Sequence, residues 1–225
     1  MTQSARDDIL ANIRRSIGVK GSDRIREQMV ADRLERAPKG VIPARGQLDA
    51  EGRKTLFRER AEAVQTTVHV VKKPDEVPQA VAAYLRDHNL PAAVRIGADP
   101  YLVAMRWEDT AIEVGSGPSK GNDLVSVSHA IAGVAETGTL VLTSGGENPT
   151  TLNFLPDTHI VVLRAVDIAG DYETVWSRLR MSYGKGEMPR TVNYVTGPSR
   201  SGDIEQKLLL GAHGPRSLHV VIVET

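Results

Sequence analysis

The chain has 225 residues, with 28 Lys+Arg balanced by 28 Asp+Glu and no cysteine. A net charge of zero gives no overall field for a polyanion such as nucleic acid. The missing thiols exclude a disulfide framework and any zinc or iron–sulfur site held by cysteine.

The first 63 residues hold 14 basic and 10 acidic side chains, and their only aromatic is Phe57. The other 162 positions hold 14 and 18, so the N-terminal part is about twice as charge-dense. We read residues 1–65 as a charged helical extension whose arms and linkers lie outside the main core. In a first helix Ser4 is the cap, Asp7 completes an approximate capping box, and Ile9, Leu10, Ile13 and Ile17 form a narrow apolar stripe ended by Gly18 and Gly21. That stripe docks on another subunit, packs on its own domain or frays in solution. A second helix covers about 23–36, Pro38 to Gly46 read as linker, and a third helix runs from about 49 to 64. Acids stand near the start, at Asp7 and Asp8, where a signal peptide would be basic and then apolar, so a cytoplasmic protein is expected. No apolar run reaches the length of a membrane span.

From residue 66 short β-branched runs alternate with helical stretches. Strands are expected at 67–71, 92–96, 111–114, 124–127, 139–143, 160–163, 191–195 and 218–223. Helices are expected at 74–87, 99–106, 169–180 and 203–210. Alternation of this kind predicts an α/β domain over residues 66–225, built on a mainly parallel sheet flanked by helices. Between 124 and 163 the strands leave little room for helices, which predicts an antiparallel or hairpin region.

Ligands of open α/β sheets bind beyond the carboxyl ends of the strands, so three loops draw attention. Glu136, an acid within the apolar stretch 130–142, precedes Thr137, Gly138 and Thr139. A partly desolvated carboxylate suits a base or nucleophile, and a glycine admits a ligand close to the backbone; the same residues also suit a plain turn. Thr196 to Asp203 follows a strand and carries Ser199, Arg200 and Ser201, two hydroxyls and a guanidinium fit to hold an anion. Asp203 stands at the N-cap position of the expected helix, which leaves those three to meet any anion. His213, in Gly211-Ala212-His213-Gly214-Pro215, is placed to titrate near neutral pH or to sit in a simple capped turn. Ser144 to Asn148 is a glycine-rich loop, and Leu155 to His159 reads as a turn before a strand. The histidines show no ligand spacing, so no metal site is assigned, and no G-x-G-x-x-G follows a strand to bind a dinucleotide. No cofactor is expected.

Four segments stand in one order: Ala-Glu-Thr-Gly-Thr-Leu-Val-Leu at 135–142, Leu-Pro-Asp-Thr-His-Ile-Val-Val at 155–162, Thr-Gly-Pro-Ser-Arg-Ser-Gly-Asp-Ile-Glu at 196–205 and Gly-Ala-His-Gly-Pro at 211–215. Over about residues 66–225 the chain resembles the lactate utilisation protein C family, whose domain is called LUD. The resemblance implies a fold like those of ribose-5-phosphate isomerase, glucosamine-6-phosphate deaminase and the CoA transferases. It also implies a role in oxidising L-lactate to pyruvate beside partner subunits that carry iron–sulfur clusters. CoA transferases of the wider fold use a glutamate in Glu-Asn-Gly, whereas Glu136 stands in Glu-Thr-Gly. The expected function is a non-redox subunit that binds a small anionic ligand or completes a partner's site. Ser199, Arg200 and Ser201 would hold the anion with Thr137, Gly138 and Thr139 close by, and Glu136 and His213 would move protons. The alternative is a stand-alone enzyme acting on a sugar phosphate or acyl group.

Overall fold

The computed structural model describes residues 3–19, 23–184, 186–204 and 207–225. Of the positions discussed above, Gly21 and Glu205 lie outside the described residues. The chain divides into two compact units, residues 1–40 and 41–225.

The first unit is two helices, α1 (Gln3–Ser16) and α2 (Arg24–Arg36). Ser4 is inside the first turn of α1 rather than its cap, because the helix already includes Gln3. The other end is as expected: Gly18 adopts φ +66°, and its amide and that of Val19 close on Arg15 and Arg14 carbonyls. Asp23 caps α2 by accepting from the Arg26 amide. Ile9 and Ile13 on α1, and Ile17 just after it, are exposed.

The second unit begins with a 3₁₀ turn (Ala44–Gly46) and α3 (Ala50–Ala63), capped by Asp49. Then come β1 (Thr67–Val71), α4 (Val77–Asp87), β2 (Ala93–Ile96), α5 (Pro100–Val103), β3 (Glu113–Ser116) and β4 (Val125–His129). A hairpin follows, β5 (Ala132–Val134) and β6 (Thr139–Thr143), then α6 (Thr150–Phe154), β7 (Thr158–Arg164), β8 (Ile168–Ala169), α7 (Tyr172–Tyr183) and β9 (Val192–Val195). The chain ends on β10 (Arg200–Ile204), β11 (Lys207–Leu210) and β12 (Ser217–Val223).

Six strands form one sheet in the order β1-β12-β7-β4-β2-β3, every neighbouring pair parallel. A four-stranded sheet, β8-β5-β6-β9, is mixed, with the β5–β6 hairpin at its centre. The α/β architecture and the antiparallel middle region are therefore both present. Near-continuous apolar runs such as Ile160 to Leu163 suit central parallel strands, which are buried on both faces. Ile160 and Val162 face α4 and α5, with Val81, Leu85 and Leu102. Val161 and Leu163 face the other way, onto Phe57 and Ala61 of α3 and Leu140 and Leu142 of β6. Beyond the small sheet α7 adds Val175 and Leu179. Among the described residues, no helix is long and apolar enough to cross a membrane.

Where a helix is expected over 203–210, the described residues lie in strands: β10 (Arg200–Ile204) pairs antiparallel with β11 (Lys207–Leu210), Arg200 with Leu210 and Ser201 with Leu209. The open end of this pair is fixed from outside: the Gly211 amide donates to the Ser199 carbonyl and the Ser199 amide to the Pro215 carbonyl. An eight-residue helix would hold these ends about 12 Å apart, so tertiary bonds override the local helix preference of Glu, Gln, Lys and Leu. Asp203 thus lies in a strand and has no helix to cap. Helix α7 starts after Ala169 because that residue pairs with Val134 in β8 and Asp171 supplies the cap.

Candidate functional site

Two of the three loops meet. The segments 196–200 and 213–215 line one cavity of about 470 Å³ together with Val64, Asn153, His159 and Leu218. It opens at the amino ends of β7 and β12, not at the carboxyl ends where the sequence pattern placed ligands. Amides of Arg216 and Ser217, which lead into β12, both donate to the carbonyl of Asp157, which leads into β7. The small sheet causes the displacement: β9 runs along the α3 face of the main sheet and delivers Thr196 at this rim.

Arg200 is exposed and donates from Nη2 to the Val64 carbonyl, at the C-terminal cap of α3. Carbonyls at a helix end attract cations, so this bond positions the guanidinium and leaves its other N–H groups to a ligand. Ser199 accepts from the His213 amide at 3.3 Å, which ties the two loops together across the cavity. Gly197 sits at φ +75°, where a Cβ would come within 2.8 Å of the Val64 carbonyl oxygen, so the loop needs glycine to pass the helix end. Ser201 is buried in β10 beside the lining but not part of it.

Glu136, Thr137, Gly138 and Thr139 are outside the cavity lining. Glu136 is buried, with Oε2 3.2 Å from Arg45 Nη2, and its amide donates to the Gly170 carbonyl. Gly138, at φ +68°, meets the backbone of α3, where a Cβ would lie 2.4 Å from the Ala61 nitrogen. The hydroxyls do reach toward the cavity. Thr137 and Thr139 contact each other at 2.7 Å, both contact the Tyr172 phenol at 2.9 Å, and Thr139 contacts Thr196 Oγ1 on the rim at 2.6 Å.

The cavity floor holds two residues the loop-by-loop reading passed over, His159 and Asn153. Ser128 donates to Asn153 Oδ1 at 3.3 Å, and its Oγ lies 3.0 Å from His159 Nε2. One hydroxyl hydrogen serves one bond, so Ser128 accepts from an Nε2–H and His159 carries its proton on Nε2. Burial pushes the His159 pKa down to about 3, which keeps the ring neutral. Left over are an acceptor, His159 Nδ1, and a donor, Asn153 Nδ2, both buried without a protein partner. Each such orphan costs about 1–3 kcal/mol. A signal for them does exist in the sequence: a histidine at the head of the apolar run Ile160 to Leu163 has to be buried with it.

At the carboxyl edge of the main sheet lies a separate pair. Asp99, after β2, takes His129 Nδ1, at the end of β4, at 3.2 Å while its other oxygen caps α5 through the Tyr101 and Leu102 amides. Among the described residues no group of three or more His, Asp or Glu side chains is arranged to hold a metal ion.

Residues 121–223 match the family model of the LUD domain. The chain is 34% identical over 100 residues to Lactate utilization protein C of a Geobacillus species, covering 44% of this chain and 42% of that protein. It is 31% identical over 124 residues to that of Geobacillus thermodenitrificans, 52% of each chain, and 32% identical over 100 residues to that of Bacillus subtilis, covering 44% of this chain and 42% of the relative. The matches thus span about half the length of these curated relatives. A crystal structure of a DUF162 family protein from Deinococcus radiodurans superposes with a TM-score of 0.60 at 21% identity, covering 78% of this chain and 99% of that one, which places the fold. The segment similar to the LUD domain, residues 121–223, carries the whole cavity lining except Val64.

Proposed function

We propose that this chain serves in lactate utilisation as a subunit that binds a small anion in the cavity beside Arg200 and works with partner proteins that carry iron–sulfur clusters. The likeness to the Lactate utilization protein C relatives supports the process. A chain without cysteine brings no thiolate to a cluster, so redox chemistry of that kind would fall to the partners. The observation that carries the binding reading is the convergence of Arg200, Ser199 and His213 on one cavity from loops more than ten residues apart. A cavity of this volume suits a small molecule, and a guanidinium held by a helix-end carbonyl is pre-oriented for a carboxylate or phosphate.

In this reading Arg200 and Ser199 hold the anion and His213, exposed at the mouth, exchanges the proton. Ser201 supports the strand behind them. The turn from Glu136 to Thr139 shapes the rim through its hydroxyl chain to Thr196. The Glu136 carboxylate, engaged by Arg45, sets the path of residues 44–47 rather than attacking a substrate. Titration calorimetry of the full chain with sodium L-lactate and with phosphate tests the anchor. Arg200→Ala is expected to weaken binding of whichever anion binds by about tenfold or more. Unchanged affinity would remove Arg200 from the site.

A further inference from the structure

We propose that α1 joins two copies of this chain, packing antiparallel on the α1 of a second copy across a two-fold axis. Among the described residues of α1 none is buried. Ile9, Ile13 and Ile17 nevertheless recur at four-residue spacing within an arc of about 80°, and the Ile17 amide still bonds the Ile13 carbonyl. They are 48%, 49% and 63% exposed. A helix of 14 residues is marginal in water by itself, and β-branched isoleucines weaken it further. The stripe therefore needs a cover. On α2, Ile25, Met29, Val30 and Leu34 are exposed as well. Together these side chains leave each copy on the order of 700 Å² of apolar surface. That is close to the roughly 800 Å² each partner gives to a standard interface, with α2 supplying the part of the contact that α1 alone lacks.

The charges of α1 select the cover. Asp7 and Asp8 stand before the centre of the helix, Arg14 and Arg15 after it. About Ala11 the sequence is a charge palindrome: Ile9 mirrors Ile13, Asp8 mirrors Arg14 and Asp7 mirrors Arg15. Such a helix is complementary to its own reverse, which is what an isologous two-fold contact requires. Antiparallel pairing at the level of Ala11 sets Ile9 against the second copy's Ile13, twice by symmetry. Asp7 and Arg14 are seven residues apart, so they lie within about 20° of each other on one flank of the stripe. The same pairing therefore brings Asp7 against the second copy's Arg14. Parallel pairing would set Asp7 on Asp7 and Arg14 on Arg14, like charges on both. A lipid surface asks for Lys and Arg on the polar face, and Asp7 and Asp8 argue against it.

Sedimentation equilibrium of the full chain over a range of concentrations reads the association directly. A reversible dimer is expected, half-formed between about 1 and 100 μM. Ile13→Glu puts two carboxylates into the seam and is expected to weaken the dimer at least about tenfold. Asp7→Arg and Arg14→Asp are each expected to weaken it about threefold or more, because each sets like charges together on both sides of the axis. The double variant Asp7→Arg/Arg14→Asp restores opposite charges and is expected to recover most of the loss. An equimolar mixture of the two single variants is expected to associate more tightly than either alone. If Ile13→Glu unravels α1, the charge variants decide, since they leave the apolar stripe whole. A chain that stays monomeric at every concentration overturns the proposal; that is the result expected if the stripe covers a different protein or its own α/β unit. So does a dimer that Ile13→Glu leaves intact, which would use another surface. Single charge reversals without effect, or a double variant no better than the singles, overturn it too.

Discussion

A buried neutral imidazole ties folding to pH. Burial lowers the His159 pKa to about 3. In β12, burial and then the neighbouring charges of His69 and His88 lower the His219 pKa to about 4. His219 is further fixed by a 2.7 Å contact between its Nδ1 and Thr67 Oγ1 and by stacking on Tyr84. Unfolded histidine titrates near 6.5, so between about pH 6.5 and 4 the unfolded chain binds protons that the folded chain does not. The stability these residues contribute is full above 6.5 and falls as the pH drops, by up to about 1.4 kcal/mol per unit for each. The carboxyl of Asp99 behaves differently: burial raises its pKa, but the hydrogen bond and charge of His129 and the Leu102 and Tyr101 amides bring the net value below the usual one. Its contribution is lost only in stronger acid, below about pH 4. Urea titrations at pH 7.5, 6.5 and 5.5 should therefore show the midpoint dropping mainly between the last two. A midpoint flat down to pH 5 would mean that neither histidine stays buried and neutral. None of this was legible residue by residue in the sequence, where all six histidines look alike. What separates His159 is the company of its strand.

At the scale of elements, patterns of strands read well and patterns of loops read poorly. The first strand was legible to the residue, because five β-branched or aromatic positions stand between a turn and a proline. The three-residue β5 and two-residue β8 escaped because such lengths carry no period. The hairpin β10–β11 escaped because its pairing is fixed by Ser199, Gly211 and Pro215, outside the segment itself. The turn at Gly138 shows how a correct local reading can name the wrong neighbour. A glycine there does permit close approach, but what approaches is the backbone of α3. Gly138→Ala should therefore act on stability. The substitution combines a positive φ with a Cβ 2.4 Å from the Ala61 nitrogen, and a loss of roughly 2–4 kcal/mol is expected in denaturant unfolding. A loss under about 1 kcal/mol would show that α3 yields there.

For the molecule as a whole, the charge-dense N-terminal stretch divides in two. Residues 1–40 form their own unit, and α2 in it buries no residue. The next segment behaves otherwise despite a similar composition. Phe57 and Ala61 of α3 are buried against Leu140, Leu163 and Ile222, and the C-terminal carbonyl of that helix receives Arg200. Charge density hides this because α3 needs only a narrow apolar stripe to cover one end of a sheet. Two truncations separate the possibilities. Removing residues 1–40 should leave the melting temperature of the remainder within about 2 °C, since none of the described side chains it deletes is buried. Removing residues 1–65 deletes Phe57 and Ala61, uncovers one face of β7 and β12, and frees Arg200. Loss of a buried phenylalanine alone costs about 3–5 kcal/mol, a large share of the stability of a domain this size. The longer truncation should therefore fail to give a cooperative transition. If it melts cooperatively like the shorter one, α3 is an appendage and the anchor assigned to Arg200 falls with it.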